Sequence, residues 1–162
     1  MCVRDKKRVI RVAFADKLKS ICHDLFGWAG VKPAMYYENH PEAKNDFIEP
    51  LNKTVRDLWI EVGNRMREVY GPVWIDYALK NHMLLDYDFV FVPDLRYPNE
   101  FTALRNHLAT LVKVERVGLP EPTDVADTAL IGETRWHHVV KNDGDMHELY
   151  SKAMELYEVI NG

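Results

Sequence analysis

The side chain best suited to chemistry in this sequence is an arginine that follows a predicted strand. Phe89–Leu95 is apolar and predicts a buried strand, and Arg96 comes directly after it. Ligands bind open α/β sheets outside the carboxyl ends of the strands, where a guanidinium can hold a phosphate through two parallel hydrogen bonds. Arg96 is therefore the main candidate for a phosphate contact. An ion pair with Asp94 or Glu100 is the structural alternative.

Two further arginines lie on one predicted helix. Thr54 can cap a helix in which Arg56 and Arg67 stand eleven residues apart, about three turns, so the two arginines share a face. Arg56 lies in the first turn, where exposed backbone N–H groups also favour an anion. The alternative for Arg67 is a solvated helix surface next to Arg65.

Acidic residues lie at the ends of two predicted strands. Asp16 follows Val9–Ala15 and is suited to orienting a substrate hydroxyl or a metal-bound water, with a plain helix N-cap as the alternative. Asp94 is suited to holding Mg²⁺ through water, as acidic residues at strand ends do in phosphoryl transfer. Lys17 and Lys19 are expected at the surface, with one of them near a phosphate.

Composition narrows the class of function. The chain has 162 residues, a hydrophobic fraction of 47% and a formal net charge of −4, values that fit one globular domain over residues 1–162 and argue against a nucleic-acid partner. Cys2 and Cys22 are too few for a disulfide framework, so a reducing, cytoplasmic location is expected. No apolar run reaches the length of a membrane span. His137 and His138 are neighbours that point to opposite faces of a strand, so no metal site is predicted.

Apolar periodicity predicts an alternation of strands and helices. The predicted strands are 9–15, 89–95, 111–114 and 138–140. The predicted helices begin at Asp16, Thr54, Trp74, Pro98 and Asp145, the first stopping at Gly27 and the third at Leu84. Residues 28–52 are expected to form an irregular, exposed insertion, and residues 117–135 a long, lid-like loop. This order predicts an α/β domain of three layers, with a mostly parallel sheet covered on both faces.

Three segments carry a resemblance to a known family. They are Phe14-Ala15-Asp16-Lys17-Leu18-Lys19, Thr54-x-Arg56-x-Leu58, and Val92-x-Asp94-x-Arg96-x-Pro98-Asn99-Glu100. In order and spacing they resemble the phage-type deoxynucleoside monophosphate kinases of the P-loop superfamily. The resemblance runs from about Arg8 to the end of the chain, and the third segment is its most specific part. It implies a P-loop-kinase-like fold and a nucleoside monophosphate partner, with ATP and Mg²⁺ as cofactors where the family activity survives.

The resemblance also assigns residues, and it marks two departures. It implies that Arg96, Arg56 and Arg67 face the acceptor monophosphate, next to Asp16 and Asp94. In the family a strand and a G-x-x-x-x-G-K-[ST] loop precede the first of these segments. Here the eight residues MCVRDKKR precede the first strand, with no glycine and no Lys-Ser or Lys-Thr pair. Where the family has a His-x-Ser-Glu-like segment in its lid, the nearest match is Asp124-Val125-Ala126-Asp127.

Three functions follow as hypotheses. The first is a degenerate nucleotide-binding homologue that keeps the acceptor side and shows negligible kinase turnover. The second is an active deoxynucleotide kinase whose P-loop is supplied upstream or by a partner. The third is a protein-interaction module that reuses the fold, such as a phage accessory or inhibitor protein, acting as a homo-oligomer or with another protein. Because the P-loop strand is central in the family, its loss predicts that strand 89–95 pairs directly with strand 111–114, or that another chain fills the gap.

Overall fold

The computed structural model describes residues 7–80, 86–119 and 125–161. The predictions for residues 1–6, for the end of the third helix and for Asp124 therefore lie outside the described residues. The chain divides into two compact units, Met1–Leu95 and Arg96–Gly162. Each unit combines helices with a short parallel strand pair, so the predicted α/β class is confirmed. In the described parts of the chain, no helix combines the length and the apolar character that crossing a bilayer demands.

The first unit is built on one parallel strand pair and four helices. In chain order its elements are β1 (Val9–Arg11), α1 (Asp16–Phe26), α2 (Ala34–Asn39), β2 (Phe47–Ile48), β3 (Lys53–Thr54), α3 (Val55–Val69), α4 (Val73–Lys80) and β4 (Phe89–Phe91). β1 pairs in parallel with β4, with Ile10 opposite Val90. β2 and β3 form a small antiparallel pair.

Local sequence signals fix the ends of the helices in this unit. Thr54 caps α3 as predicted, because its hydroxyl accepts the N–H of Asp57 while the Asp57 carboxylate accepts the N–H of Thr54. α1 ends at Gly27, also as predicted. The N-cap prediction for Asp16 is wrong. Asp16 is the first helical residue and Ala15 is the N-cap. The Asp16 carboxylate bonds to the Arg11 guanidinium instead of to a backbone N–H.

The core of the first unit lies where α1 meets α3. Leu18 and Cys22 of α1 are buried, as are Leu58 and Gly63 of α3. A Cβ added to Gly63 would stand 3.1 Å from Leu18 Cδ2, so a glycine allows the two helices to approach. Burial raises the pKa of the Cys22 thiol to about 11, because a thiolate is poorly solvated there.

The segment 28–52 is more ordered than an exposed insertion. It contains α2, β2 and three short 3₁₀ turns, and its side chains at Val31, Tyr37 and Ile48 are buried. Tyr37 is only 2% exposed, and its hydroxyl accepts the N–H of Lys32 at 2.9 Å. The expectation of an exposed loop is therefore wrong at these positions, because the segment packs its own apolar residues inward.

The second unit contains the remaining elements. They are α5 (Pro98–Asn106), β5 (Val112–Glu115), α6 (Val125–Thr128), β6 (His138–Lys141) and α7 (Met146–Asn161). β5 pairs in parallel with β6, with Val112 opposite His138. Phe101 of α5 is fully buried, and the Trp136 ring meets it edge-on with 5.0 Å between centroids. Asp145 caps α7 as predicted, since its carboxylate accepts the N–H of Glu148 at 2.9 Å.

The strands are shorter than predicted, and their pairing differs. β1 stops at Arg11, because the N–H groups of Phe14 and Ala15 donate to the Asp94 side chain and not to a strand. β4 stops at Phe91, two residues before Pro93, which cannot donate to a ladder. The predicted pairing of strand 89–95 with strand 111–114 is wrong, since β4 pairs with β1 and β5 pairs with β6.

Candidate functional site

The segment that begins the second unit holds Arg96 on a fixed backbone. The N–H groups of Arg96 and Tyr97 both donate to Glu100 Oε2, at 2.9 and 3.0 Å. Glu100 is only 3% exposed, and its own N–H donates to Asn99 Oδ1 at 3.0 Å. Pro98 occupies the first turn, where a missing N–H has no cost. The spacing of this motif thus builds a helix start whose acidic residue binds the backbone on which Arg96 stands.

In the first unit the carboxylate of Asp94 binds two backbone N–H groups, as the carboxylate of Glu100 does in the second unit. Its Oδ1 accepts the N–H of Phe14 at 3.0 Å, and its Oδ2 accepts the N–H of Ala15 at 2.9 Å. The carboxylate therefore ties the chain after β4 to the chain that enters α1. Both oxygens of Asp94 already accept backbone N–H groups. A metal-binding role for Asp94 stays a prediction.

The guanidinium of Arg96 has a partner that the sequence alternatives did not include. Its Nη1 lies 3.0 Å from Asp127 Oδ1, and the two side chains are 54% and 46% exposed. The carboxylates of Asp94 and Glu100, the partners considered from sequence, accept backbone N–H groups. Asp127 lies on α6, inside the segment 117–135 that the sequence predicts to be lid-like. The position of Asp127 in this predicted lid was the sequence signal that could have identified it as a partner of Arg96.

The two other predicted arginines lie on α3. Arg56 is exposed in the first turn of α3, next to Asp57 of the capping box. The hydrogen bonds from Thr54 lower the pKa of the Asp57 carboxyl, and the nearby positive charges of Lys53 and Arg56 add to this. Arg67 is half-buried in the last turn, with Nη1 3.3 Å from Asn64 Oδ1. Their shared helix is confirmed, and their contact with a phosphate stays a prediction.

An open cavity lies at the carboxyl end of β1 in the first unit. It has a volume of about 210 Å³ and is lined by Arg11, Val12, Asp16, Lys17, Ser20 and Tyr77. Arg11 Nη1 lies 3.0 Å from Asp16 Oδ2, and Lys17 Nζ lies 5.5 Å from the centroid of the Tyr77 ring. Asp16 and Lys17, which were singled out from the sequence, thus both line this cavity and are candidate ligand contacts.

Three polar lining residues of this cavity were missed by sequence reasoning. Arg11 carried a signal, because it interrupts the apolar run of the first strand. It also lies 3.6 Å from Glu38 Oε1, through Nη2. Ser20 and Tyr77 carried none, since a helix serine and a helix tyrosine are ordinary surface residues until a neighbouring element gives them a shared cavity.

A second cavity in the first unit is chemically different. It measures about 420 Å³ and is lined by Phe26, Pro50, Leu51, Lys53, Leu58, Glu61, Val62, Arg65 and Met66. Six of these nine residues are apolar, and the charges of Lys53 and Arg65 are matched by Glu61 and Glu68. Such a lining suits an apolar group better than a phosphate.

Histidines and acidic residues form no metal centre in the part of the chain that the structure describes. No group of three or more His, Cys, Asp or Glu side chains there is placed to hold an ion. His137 Nδ1 accepts the N–H of Leu111 at 2.9 Å, which gives this histidine a structural role between β5 and β6.

In comparisons with known proteins, no protein-family model and no curated sequence matches this chain.

Proposed function

We propose that this chain binds a nucleoside monophosphate or a similar nucleotide, as a degenerate relative of the deoxynucleoside monophosphate kinases. One observation carries the proposal. In the segment from Asp94 to Glu100, both acidic side chains bind backbone N–H groups, and the side chain of Arg96 is 54% exposed. The charged group of Arg96 is therefore displayed to solvent from a backbone that hydrogen bonds hold still.

Such a guanidinium is well suited to a phosphate. Its planar fork matches two phosphate oxygens, and little backbone entropy is lost when the backbone is already fixed. Its ion pair with Asp127 is exposed on both sides. Exposed ion pairs contribute at most about 1 kcal/mol, so a phosphate dianion can replace the carboxylate.

The cavity at the end of β1 gives separate support from the first unit. Lys17 supplies a cation, and Ser20 supplies a hydroxyl that can donate or accept. The Arg11–Asp16 pair adds acceptor oxygens suited to sugar hydroxyls. At about 210 Å³ the cavity is smaller than the roughly 300–1,000 Å³ of most ligand pockets, so it fits a phosphate or a sugar and not a whole nucleotide.

The absence of a P-loop motif from these 162 residues supports the proposal of binding without phosphoryl transfer. The 162 residues contain no G-x-x-x-x-G-K-[ST] sequence. That loop positions the transferred phosphate and its metal ion, which together supply most of the catalysis in phosphoryl transfer. The proposed fold relationship to P-loop kinases, with their three-layer architecture, rests on the order of the three sequence segments.

Isothermal titration calorimetry with each of the four deoxynucleoside monophosphates tests the proposal. Saturable binding is expected. Arg96→Ala should weaken it by about 1.5–3 kcal/mol, the range for a hydrogen bond to a charged group, while leaving the melting temperature nearly unchanged. Arg96→Lys should not restore the affinity, because an ammonium lacks the bidentate fork. Arg105→Ala is the matched control, since Arg105 is an exposed arginine in the last turn of α5.

The alternatives give different results in the same assays. Turnover with ATP and Mg²⁺ at about 1–100 per second would support an active kinase. Absence of any nucleotide binding would favour an interaction module. If Arg96→Ala lowers stability and leaves nucleotide affinity unchanged, Arg96 is a structural ion-pair residue and the proposed phosphate contact is wrong.

A further inference from the structure

The segment 125–136 of the second unit is anchored at one end on α5. The Trp136 ring packs edge-on against Phe101, and Arg135 Cζ lies 5.3 Å from the centroid of the same ring. Arg135 is itself held by Glu133 through Nε and Nη2, at 2.8 and 2.6 Å. Because Phe101 is fully buried, this end of the segment is attached to the core of the unit.

The other end of the segment carries the carboxylate that meets Arg96. Within α6 the N–H of Ala129 and the hydroxyl of Thr128 both donate to the carbonyl of Val125, each at 3.1 Å. These bonds shape one helical turn and do not involve the side chain of Asp127. The Asp127 side chain lies 3.0 Å from Arg96 Nη1, through Oδ1.

A carboxylate and a phosphate compete for the same guanidinium donors. Both present two oxygens to the fork, so an oxygen bound at Nη1 keeps another anion from that nitrogen. We propose that Asp127 is an intramolecular competitor for the anion that Arg96 binds, so that anion binding displaces the Asp127 carboxylate from the guanidinium. The inference rests on the proposed function, since it concerns the regulation of the same arginine.

The size of the effect follows from exposure. The Asp127 and Arg96 side chains are both about half exposed, so their ion pair is screened by water and salt. Measured exposed pairs correspond to a change of up to about fivefold in an equilibrium constant. Removing the competitor should therefore raise anion affinity by roughly two- to fivefold, and the gain should shrink as salt rises.

The test is Asp127→Asn in the full chain, titrated with the deoxynucleoside monophosphates. The variant keeps the shape of the side chain and the backbone bonds of α6, so it should fold normally. Its affinity should exceed that of the unchanged chain by about two- to fivefold. Glu158→Gln is the matched control, since it removes one exposed negative charge from the same unit, and it should leave affinity unchanged. In an Arg96→Ala background, Asp127→Asn should have no effect.

A second readout does not depend on nucleotide recognition. Titration with inorganic phosphate, followed by ¹H–¹⁵N NMR, should shift the backbone amides of residues 125–129 as Asp127 is displaced. These shifts should be absent in Arg96→Ala. If nucleotides bind and Asp127→Asn leaves their affinity unchanged, the proposed competition is overturned while the proposed function stands.

Failure of the proposed function can also be distinguished from failure of the proposed competition. If no nucleotide binds but phosphate still moves amides 125–129 in an Arg96-dependent manner, the proposed function fails while the competition stands. If neither phosphate nor nucleotide moves those amides and neither binds, both are wrong.

Discussion

The substitution Asp94→Asn should destabilise the first unit nearly as much as Asp94→Ala. The two carboxylate oxygens of Asp94 accept different N–H groups, Phe14 at Oδ1 and Ala15 at Oδ2. An asparagine has one acceptor oxygen, so its NH₂ group must face one of the two N–H donors in either orientation. One hydrogen bond is lost, and two donors are brought together without an acceptor.

The magnitude can be worked from these contacts. Hydrogen bonds to a charged group contribute about 1.5–3 kcal/mol each, and the lower end applies because these bonds are only partly buried. Asp94→Ala removes both, so the free energy of unfolding should fall by about 3 kcal/mol. Asp94→Asn should cost about 2 kcal/mol, one bond plus the penalty of a facing donor pair.

Urea unfolding followed by tryptophan fluorescence measures this effect well. Trp28, Trp59 and Trp74 all lie in the first unit, so fluorescence mainly reports that unit. Hydrogen exchange at the amides of Phe14 and Ala15 should accelerate in the variant, which locates the loss.

The matched control is Asp88→Asn. Asp88 accepts one N–H, from Arg8, through a single oxygen at an exposed position, so asparagine can keep that bond and stability should change by less than about 0.5 kcal/mol. If Asp94→Asn is as stable as the unchanged chain and instead loses affinity for Mg²⁺ or a nucleotide, the structural role is refuted. Asp94 then acts as a ligand-binding residue.

Two further outcomes are expected. Leu108→Gly should stabilise the second unit by about 0.5–1 kcal/mol in thermal unfolding. Leu108 is 93% exposed and has a φ of 58°, a left-handed conformation that glycine adopts without strain. An unchanged or lower unfolding midpoint would show that the leucine side chain contributes packing. Hydrogen bonds from Arg135 lower the pKa of Glu133 to about 2, so its contribution to stability is present above the ordinary pKa of 4.5 and is lost as the pH falls through about 2. A ¹³C NMR titration of Glu133 should show this midpoint, and in Arg135→Ala it should return towards 4.5; a normal midpoint in the unchanged chain would contradict the pairing.

The sequence by itself determined the features that depend on neighbours a few residues apart. The Thr54–Asp57 cap, the stop at Gly27, the helix start at Pro98 and the Asp145 cap were all predicted. Each is set by backbone geometry at a fixed short spacing, which the order of residue types reveals directly. The alternation of strands and helices, and hence the α/β class, follows from apolar periodicity in the same way.

Tertiary structure decided everything that joins distant residues. Asp94 binds the N–H of Phe14, 80 positions away, and this contact ends the first strand earlier than its apolar run predicts. The pairing of β4 with β1, and the burial of Tyr37 in a segment rich in turn residues, are of the same kind. A strand reveals its apolar run but not its partner, because pairing depends on which other edges the folded chain brings within hydrogen-bond distance.

The residues of the candidate site also separate into those that the sequence indicated and those that only the tertiary structure revealed. The sequence singled out Arg96, since an arginine after an apolar strand has recognisable chemistry, and it also singled out Asp16. It did not reveal that Asp127 holds the Arg96 guanidinium, or that Ser20 and Tyr77 share a cavity with Asp16. A residue's type fixes which bonds it can make, but the distance to its partner is fixed only when the intervening chain has packed.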